Sequence, residues 1–274
     1  MEKNTGRSVR ETLREVETVQ LLVSVVHEEE VAAAVAGGAD IIDVKNPREG
    51  SLGANFPHVI RHIRRSTPPH LPVSVAIGDM PNLPGTAALA AAGAATCGVQ
   101  YVKVGLFGAR EPDEARALLA AVCQATREQD ETVRVIATAY ADAQAVDSLP
   151  PRELPAIAVQ AGAYGCMLDT ARKRDVTLFT ALSPAELDSF VGECRAAGLI
   201  CALAGSLREA DIPHICDLRP DIIGFRGAAC RGDRASGRVD VHAVERLKAL
   251  IADAGCRSSD LSPGVQPAVQ AAPR

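Results

Sequence analysis

Short apolar runs alternate with amphipathic segments along most of the chain. The apolar runs are continuous, as in strands that are covered on both faces. Between them, apolar residues recur at helical spacing, as at Phe56, Val59 and Ile63. The pattern predicts eight strands, at about residues 20–25, 40–45, 73–77, 100–105, 133–138, 164–169, 199–204 and 221–226. Eight strands that alternate with helices in 274 residues favour an α/β fold with a single (β/α)8 TIM barrel.

The predicted helices follow the strands at about residues 28–36, 55–63, 84–97, 111–129, 151–161, 184–197, from 208 onwards and 240–253. Ser183 and Glu186 have the spacing of a capping box at the start of the sixth of these helices. The barrel is therefore expected to span residues 19–254 as one domain. Residues 1–18 are interpreted as a polar N-terminal extension, and the Ser-, Pro-, Gln- and Ala-rich residues 255–274 as a disordered tail. A doubly wound open sheet is the alternative fold, but no GxGxxG turn follows the first strand.

Composition narrows the class of protein. A net charge of −5 gives no general attraction for nucleic acid or anionic membranes. No apolar run approaches the ~20 residues that span a bilayer, and the charged N-terminus lacks the apolar region of a signal peptide. The eight cysteines are scattered without a CxxC pair. We therefore expect a cytoplasmic protein with reduced cysteines and no cysteine zinc site.

Candidate chemistry lies where the predicted strands end, which is where barrel enzymes form their active sites. The side chains there are Asp43 and Lys45 at the end of strand two, Asp79 at the end of three, Lys103 in four, Asp169 at the end of six and Lys173 in the loop that follows it. Taken singly, Lys103 is also compatible with a snorkelling lysine, and Asp79 or Asp169 with a helix cap. Their occurrence at equivalent ends of different strands favours an active site.

Lys45 is the strongest candidate among these residues. Side chains alternate along a strand, so Asp43 and Lys45 project to the same face. Burial and neighbouring amines both lower a lysine pKa, and a neutral lysine attacks carbonyl groups to form an imine. The sequence therefore predicts a carbonyl-binding amine, with a second lysine as acid or base and carboxylates that hold or move protons.

The loops after strands seven and eight are the usual phosphate-binding loops of this architecture. Gly205 and Gly227 allow close backbone approach, and Arg226 adds a positive charge. Ser206 and Glu209 have the spacing of a capping box, which predicts a helix N-terminus aimed at an anion. The alternative is that these glycines and Ser206 are ordinary turn residues.

Several motifs together resemble one family. The segments IIDVKNPREGSLGANFPHVI, SVAIGDMPNLPGTAALAAAGAA, YVKVGLFG, MLDTARK, ALAGSL and IIGFRGAAC resemble (5-formylfuran-3-yl)methyl phosphate synthases, also called 4-(hydroxymethyl)-2-furancarboxaldehyde-phosphate synthases. The resemblance runs from about Leu21 to Leu250, and the first segment is the most specific. Tyr140-Ala141-Asp142 is a visible departure, whose equivalence in the family is open.

The resemblance implies a barrel lyase that condenses two glyceraldehyde 3-phosphate molecules into a furan aldehyde phosphate, with loss of one phosphate and two waters. It implies a role in making methanofuran or a bacterial analogue, and no metal or organic cofactor. It assigns the Schiff base to Lys45 and the proton acceptor to Lys103, with Asp43, Asp169 and Lys173 as further active-site groups. By analogy with similar enzymes, a homo-oligomer is expected.

Two other functions remain open at this point. A class I aldolase for another phosphorylated sugar would use the same lysines and phosphate loops but release no inorganic phosphate. A non-catalytic barrel that only binds a small molecule is the other alternative. It is disfavoured because both Lys45 and Lys103 are present.

Overall fold

A computed structural model describes residues 18–256 of the chain. The N-terminal extension expected for residues 1–18 and the tail expected for 255–274 lie outside the described residues, apart from residues 18, 255 and 256.

Eight parallel strands close into a barrel in chain order, with β1 hydrogen-bonded to both β2 and β8. This confirms the predicted (β/α)8 fold. The strands are β1 (Gln20–Val25), β2 (Ile41–Val44), β3 (Val73–Asp79), β4 (Tyr101–Gly105), β5 (Arg134–Tyr140), β6 (Gly165–Asp169), β7 (Ile200–Leu203) and β8 (Ile222–Phe225).

The helices lie between the strands, close to the predicted positions. They are α1 (Val31–Ala36), α2 (Pro57–Ser66), α3 (Pro84–Ala95), α4 (Pro112–Gln129), α5 (Leu154–Ala161), α6 (Leu178–Ala181), α7 (Pro184–Ala196), α8 (Ile212–Leu218) and α9 (Val241–Asp253). The capping box predicted for α7 is present, since Ser183 and Glu186 exchange hydrogen bonds at its first turn. The short α6 and a hairpin of β9 (Cys230–Arg231) and β10 (Arg238–Val239) were not predicted.

Alternation along the strands divides the core into two layers. On β2, Ile42 and Val44 pack outward against the helices, in the large apolar cluster between barrel and helices. Ile41 belongs to a smaller cluster inside the barrel, with Leu22 and Met167 among its members. Asp43 and Lys45 continue the Ile41 face, so they project into the upper half of the barrel. The barrel interior therefore has an apolar layer below and a polar layer above it.

The helix start predicted at Ser206 is wrong. Gly205 and Ser206 both have positive φ, 115° and 53°, so the chain turns sharply there. The next helical turn is a 3₁₀ segment at Glu209–Asp211, and the Arg208 backbone N–H donates to Asp211 at its start (2.8 Å). Ser206 therefore belongs to the turn itself, as the alternative interpretation held.

The cysteines correct a second expectation. Cys216 and Cys256 are joined by a disulfide, with their Cα atoms 4.8 Å apart, whereas the other six are free thiols. The pair links α8 to the segment that follows α9. The two cysteines are 40 residues apart, and no sequence motif indicates that they pair. The packing of α8 against α9 brings the two thiols together.

Candidate active site

A cavity of about 650 Å³ opens at the C-terminal ends of the strands. Lys45, Asp169 and Lys173 line one part of it, and the loops after β7 and β8 line another. The structure thus brings two of the predicted amines, Lys45 and Lys173, and the predicted phosphate loops to one cavity.

Asp43 and Lys103 form a buried ion pair beside the cavity. The Lys103 amine lies 2.7 Å from Asp43 Oδ1, and the side chains are 2% and 0% exposed. Ser24 and Ser74, the neighbours of Asp43 in β1 and β3, donate hydroxyl hydrogen bonds to its two oxygens. Burial opposes the charge of Asp43, but Lys103 and Lys45 outweigh it and hold its pKa below the usual value. Asp43 is therefore a carboxylate beside the Lys103 amine.

Asp169 and Lys173 form a second pair on another side of the site. The Ser51 hydroxyl, from the loop after β2, approaches Asp169 (3.4 Å) and the Thr170 carbonyl (2.8 Å). Burial raises the pKa of Asp169, but the positive charges of Lys173 and Lys45 outweigh this effect and lower the pKa below its usual value. Burial lowers the pKa of Lys173, although Asp169 counteracts it. The two groups hold each other in place at the end of β6.

Lys45 lies between these two pairs and is 6% exposed. Burial is the largest influence on its amine and, with the positive charges of Lys173 and Lys103, lowers its pKa to about 7. The carboxylates Asp169 and Asp43 act in the opposite direction but are already paired with the other lysines. A large fraction of Lys45 is therefore an uncharged nucleophile at neutral pH.

The backbone of the loops after β7 and β8 lines the same cavity. Gly205 has a φ of 115°, and a Cβ there would lie 3.1 Å from the Thr170 side chain. Gly205, Ser206 and Gly227 all line the cavity. The Ser206 hydroxyl donates to the Lys173 carbonyl (3.4 Å), which connects this loop to the lysine-bearing loop after β6.

Arg226 has a different arrangement from the one predicted. It lies beside the cavity, but its guanidinium pairs with Glu30 (2.9 Å) and donates to the carbonyls of Ser24, Arg234 and Gly237. Both side chains of the pair are 3% exposed. Most of its donors are used by the protein, so Arg226 braces the β9–β10 hairpin, and its role in phosphate binding stays a prediction.

Asp79 is also occupied by the protein itself. Its carboxylate accepts hydrogen bonds from the Ser51 (2.7 Å) and Leu52 (3.1 Å) backbone N–H groups and from the Tyr140 hydroxyl. Burial and the charge of Asp79 raise the pKa of Tyr140 well above its ordinary value, so the phenol remains a donor. Asp79 therefore braces the loop after β2, and its place among the substrate-binding residues stays a prediction.

Other residues that shape the site were not identified from the sequence. Asp142 accepts from the Ala171 and Arg172 backbone N–H groups (2.7 and 2.9 Å), which fixes the loop that carries Lys173. Arg234, on the β9–β10 hairpin, lines the cavity. Ser24 and Ser74 carry the one available signal, since serines inside otherwise apolar strands need a polar partner.

In residues 18–256, no helix combines the length and apolar character that crossing a lipid bilayer requires.

Comparison with known proteins gives the same family over nearly all of the barrel. The family described as 4-HFC-P synthase matches residues 21–248. A (5-formylfuran-3-yl)methyl phosphate synthase from Methanocaldococcus jannaschii is 50% identical over 231 residues, which cover 84% of this chain and 98% of that protein. The protein of the same name from Methanopyrus kandleri is 49% identical over 234 residues, 85% of this chain and 99% of its own.

Solved structures agree on the fold. KGPDC from Streptococcus mutans has a TM-score of 0.60 at 12% identity, over 86% of this chain and 98% of its own. A 3-hexulose-6-phosphate synthase has a TM-score of 0.57 at 17% identity, over 85% and 99%. The family match and the identity to curated relatives go further than the fold. The chain belongs to the (5-formylfuran-3-yl)methyl phosphate synthase family and is an enzyme of this kind.

Proposed function

We propose that the enzyme condenses two molecules of glyceraldehyde 3-phosphate into (5-formylfuran-3-yl)methyl phosphate through an imine on Lys45, in the synthesis of methanofuran or a bacterial analogue. The observation that carries the proposal is a buried amine with a pKa of about 7, between two ion pairs at a barrel mouth. The names of the relatives supply the product.

The first step is attack of the neutral Lys45 amine on the aldehyde carbon of one triose phosphate. A carbinolamine forms, and loss of water gives the protonated imine. The imine withdraws electrons from the neighbouring carbon, so the proton on that carbon becomes acidic. The carboxylates Asp43 and Asp169 act on Lys45 through their charges, and so favour the cationic imine once it has formed.

Proton transfer is assigned to the two ion pairs. Lys103 accepts the proton next to the imine in its neutral form, and the carboxylate of Asp43, 2.7 Å away, stabilises the ammonium group that results. Asp169 and Lys173 are assigned to proton transfer when the phosphate leaves and when the second triose is joined. Elimination of phosphate, carbon–carbon bond formation, ring closure and dehydration follow. The atoms balance, since two triose phosphates minus phosphoric acid and two waters give the product.

Phosphate release separates this reaction from that of a class I aldolase. Incubation with glyceraldehyde 3-phosphate alone is expected to give one inorganic phosphate per furan, with the product identified by mass spectrometry. Enzyme-free incubation corrects for spontaneous loss of phosphate. A carbon–carbon bond formed without phosphate release would favour the aldolase instead.

A further inference from the structure

The β9–β10 hairpin brings an arginine over the cavity. Arg234 lies between the two strands of the hairpin and lines the cavity together with Lys45, Lys173 and Gly227. A Cβ built on Gly227 would lie 3.9 Å from the Arg234 Cβ, so the arginine begins beside the backbone of the loop after β8. The chain around it is held by Arg226, which donates to the Arg234 and Gly237 carbonyls (3.0 and 2.9 Å).

The guanidinium of Arg234 has an unused donor. Its Nη2 atom is buried, and no residue in 18–256 accepts a hydrogen bond from it. A buried donor without a partner costs about 1–3 kcal/mol, more when the group is charged. Burial lowers the pKa of Arg234, whereas the negative charge of Asp169 raises it.

We propose that Arg234 binds a phosphate group of the triose phosphate substrate. Guanidinium groups bind phosphate through paired N–H donors, and the neighbouring Gly227 backbone, which lines the cavity, leaves room for phosphate oxygens. Arg226, fully buried against Glu30, then acts only as the support that places Arg234. The inference rests on the proposed function, because it takes the substrate to be a triose phosphate.

The test compares Arg234→Gln with Arg234→Lys and with Arg238→Gln, an exposed arginine on the same hairpin that does not line the cavity. Two quantities are measured. One is the inhibition constant of inorganic phosphate, and the other is the rate at which borohydride traps the imine formed with glyceraldehyde 3-phosphate or with unphosphorylated glyceraldehyde. Arg234→Gln is expected to weaken phosphate binding and slow trapping of the phosphorylated substrate about 10- to 100-fold. Trapping of glyceraldehyde and all values for Arg238→Gln should match the unaltered enzyme.

Arg234→Lys keeps the charge but loses the paired donors, so it is expected to lose part of the phosphate affinity. Unchanged phosphate binding in Arg234→Gln overturns the inference, as does equal slowing with both aldehydes, which would indicate a distorted cavity. If Arg234→Gln does not fold, as judged by circular dichroism, an unaltered inhibition constant in Arg234→Lys overturns it.

If the proposed function itself is wrong, the unaltered enzyme will form no furan product. Phosphate binding, measured by calorimetry on the same variants, would still decide the role of Arg234.

Discussion

The reactivity of Lys45 follows from its surroundings. Because the pKa is lowered to about 7, the amine loses its proton as the pH rises through neutrality, whereas an ordinary lysine does so near ~10.4. Acylation with a limiting amount of anhydride, followed by peptide mass spectrometry, should therefore label Lys45 half-maximally near pH 7. Lys248, ion-paired with Asp40 at the surface, provides the reference in the same sample. Labelling of Lys45 that begins only above pH 9 would contradict the account.

The Asp43–Lys103 pair gives a prediction about stability. Lys103→Met leaves a buried carboxylate without its cation and should lower the free energy of unfolding by about 3–5 kcal/mol. Asp43→Asn together with Lys103→Met should cost less than the two single changes added. Denaturant unfolding measures this, with Lys248→Met as the control for a partly exposed pair (about 0–1 kcal/mol). Additive effects would show that the pair is not coupled.

Residues whose role depends on their own strand were predictable, and residues whose role depends on distant partners were not. Asp43 and Lys45 lie on one face of β2, as the period of two predicts. The pairing of Arg226 could not be predicted, because its partner Glu30 is 196 residues away in the sequence. The bracing contacts of Asp79 could not be predicted either, because Tyr140 and the loop after β2 reach it only in the folded barrel.

At the scale of elements, a buried ion pair anchors the β9–β10 hairpin to the barrel. The Glu30 carboxylate pairs with Arg226 and also accepts from the Val239 backbone N–H (3.1 Å), so it contacts the hairpin directly. Arg226→Met should speed amide hydrogen exchange across residues 228–239 and destabilise the protein by about 3–5 kcal/mol.

Arg231→Met is the matched control for this hairpin. Its side chain is 84% exposed and pairs with Asp240, so a change of about 0–1 kcal/mol and unaltered exchange are expected. Equal exchange rates in Arg226→Met and the unaltered enzyme would exclude the bracing role.

The elements that the sequence missed share a physical cause. Strands β9 and β10 have two residues each, too few for any alternation to be visible. Helix α6 has four residues, shorter than a hydrophobic repeat. By contrast, the eight barrel strands are apolar and buried on both faces, so their positions could be predicted to within a few residues.

At the scale of the whole molecule, the disulfide connects α8 to the segment that follows the last helix, α9. A bridge that closes a loop of this size typically contributes about 2–4 kcal/mol. Cys256→Ser should lower the free energy of unfolding by that amount, and reductant should then have little further effect. Alkylation of Cys216 in unfolded but unreduced protein would show that the bridge does not form.

The predictions of a homo-oligomer, of a cytoplasmic location and of catalysis without metal or organic cofactor stay predictions. The barrel itself and the family follow from the closed sheet and from the match over residues 21–248. Both were accessible from sequence, because strand count, strand ends and the DVKNP segment are local patterns.

The most direct test of the central claim is borohydride trapping with glyceraldehyde 3-phosphate, followed by peptide mass spectrometry. The account predicts one reduced triose adduct, located on Lys45, and loss of both the adduct and the furan product in Lys45→Met. An adduct on Lys103 or Lys173, or undiminished product from Lys45→Met, would contradict it.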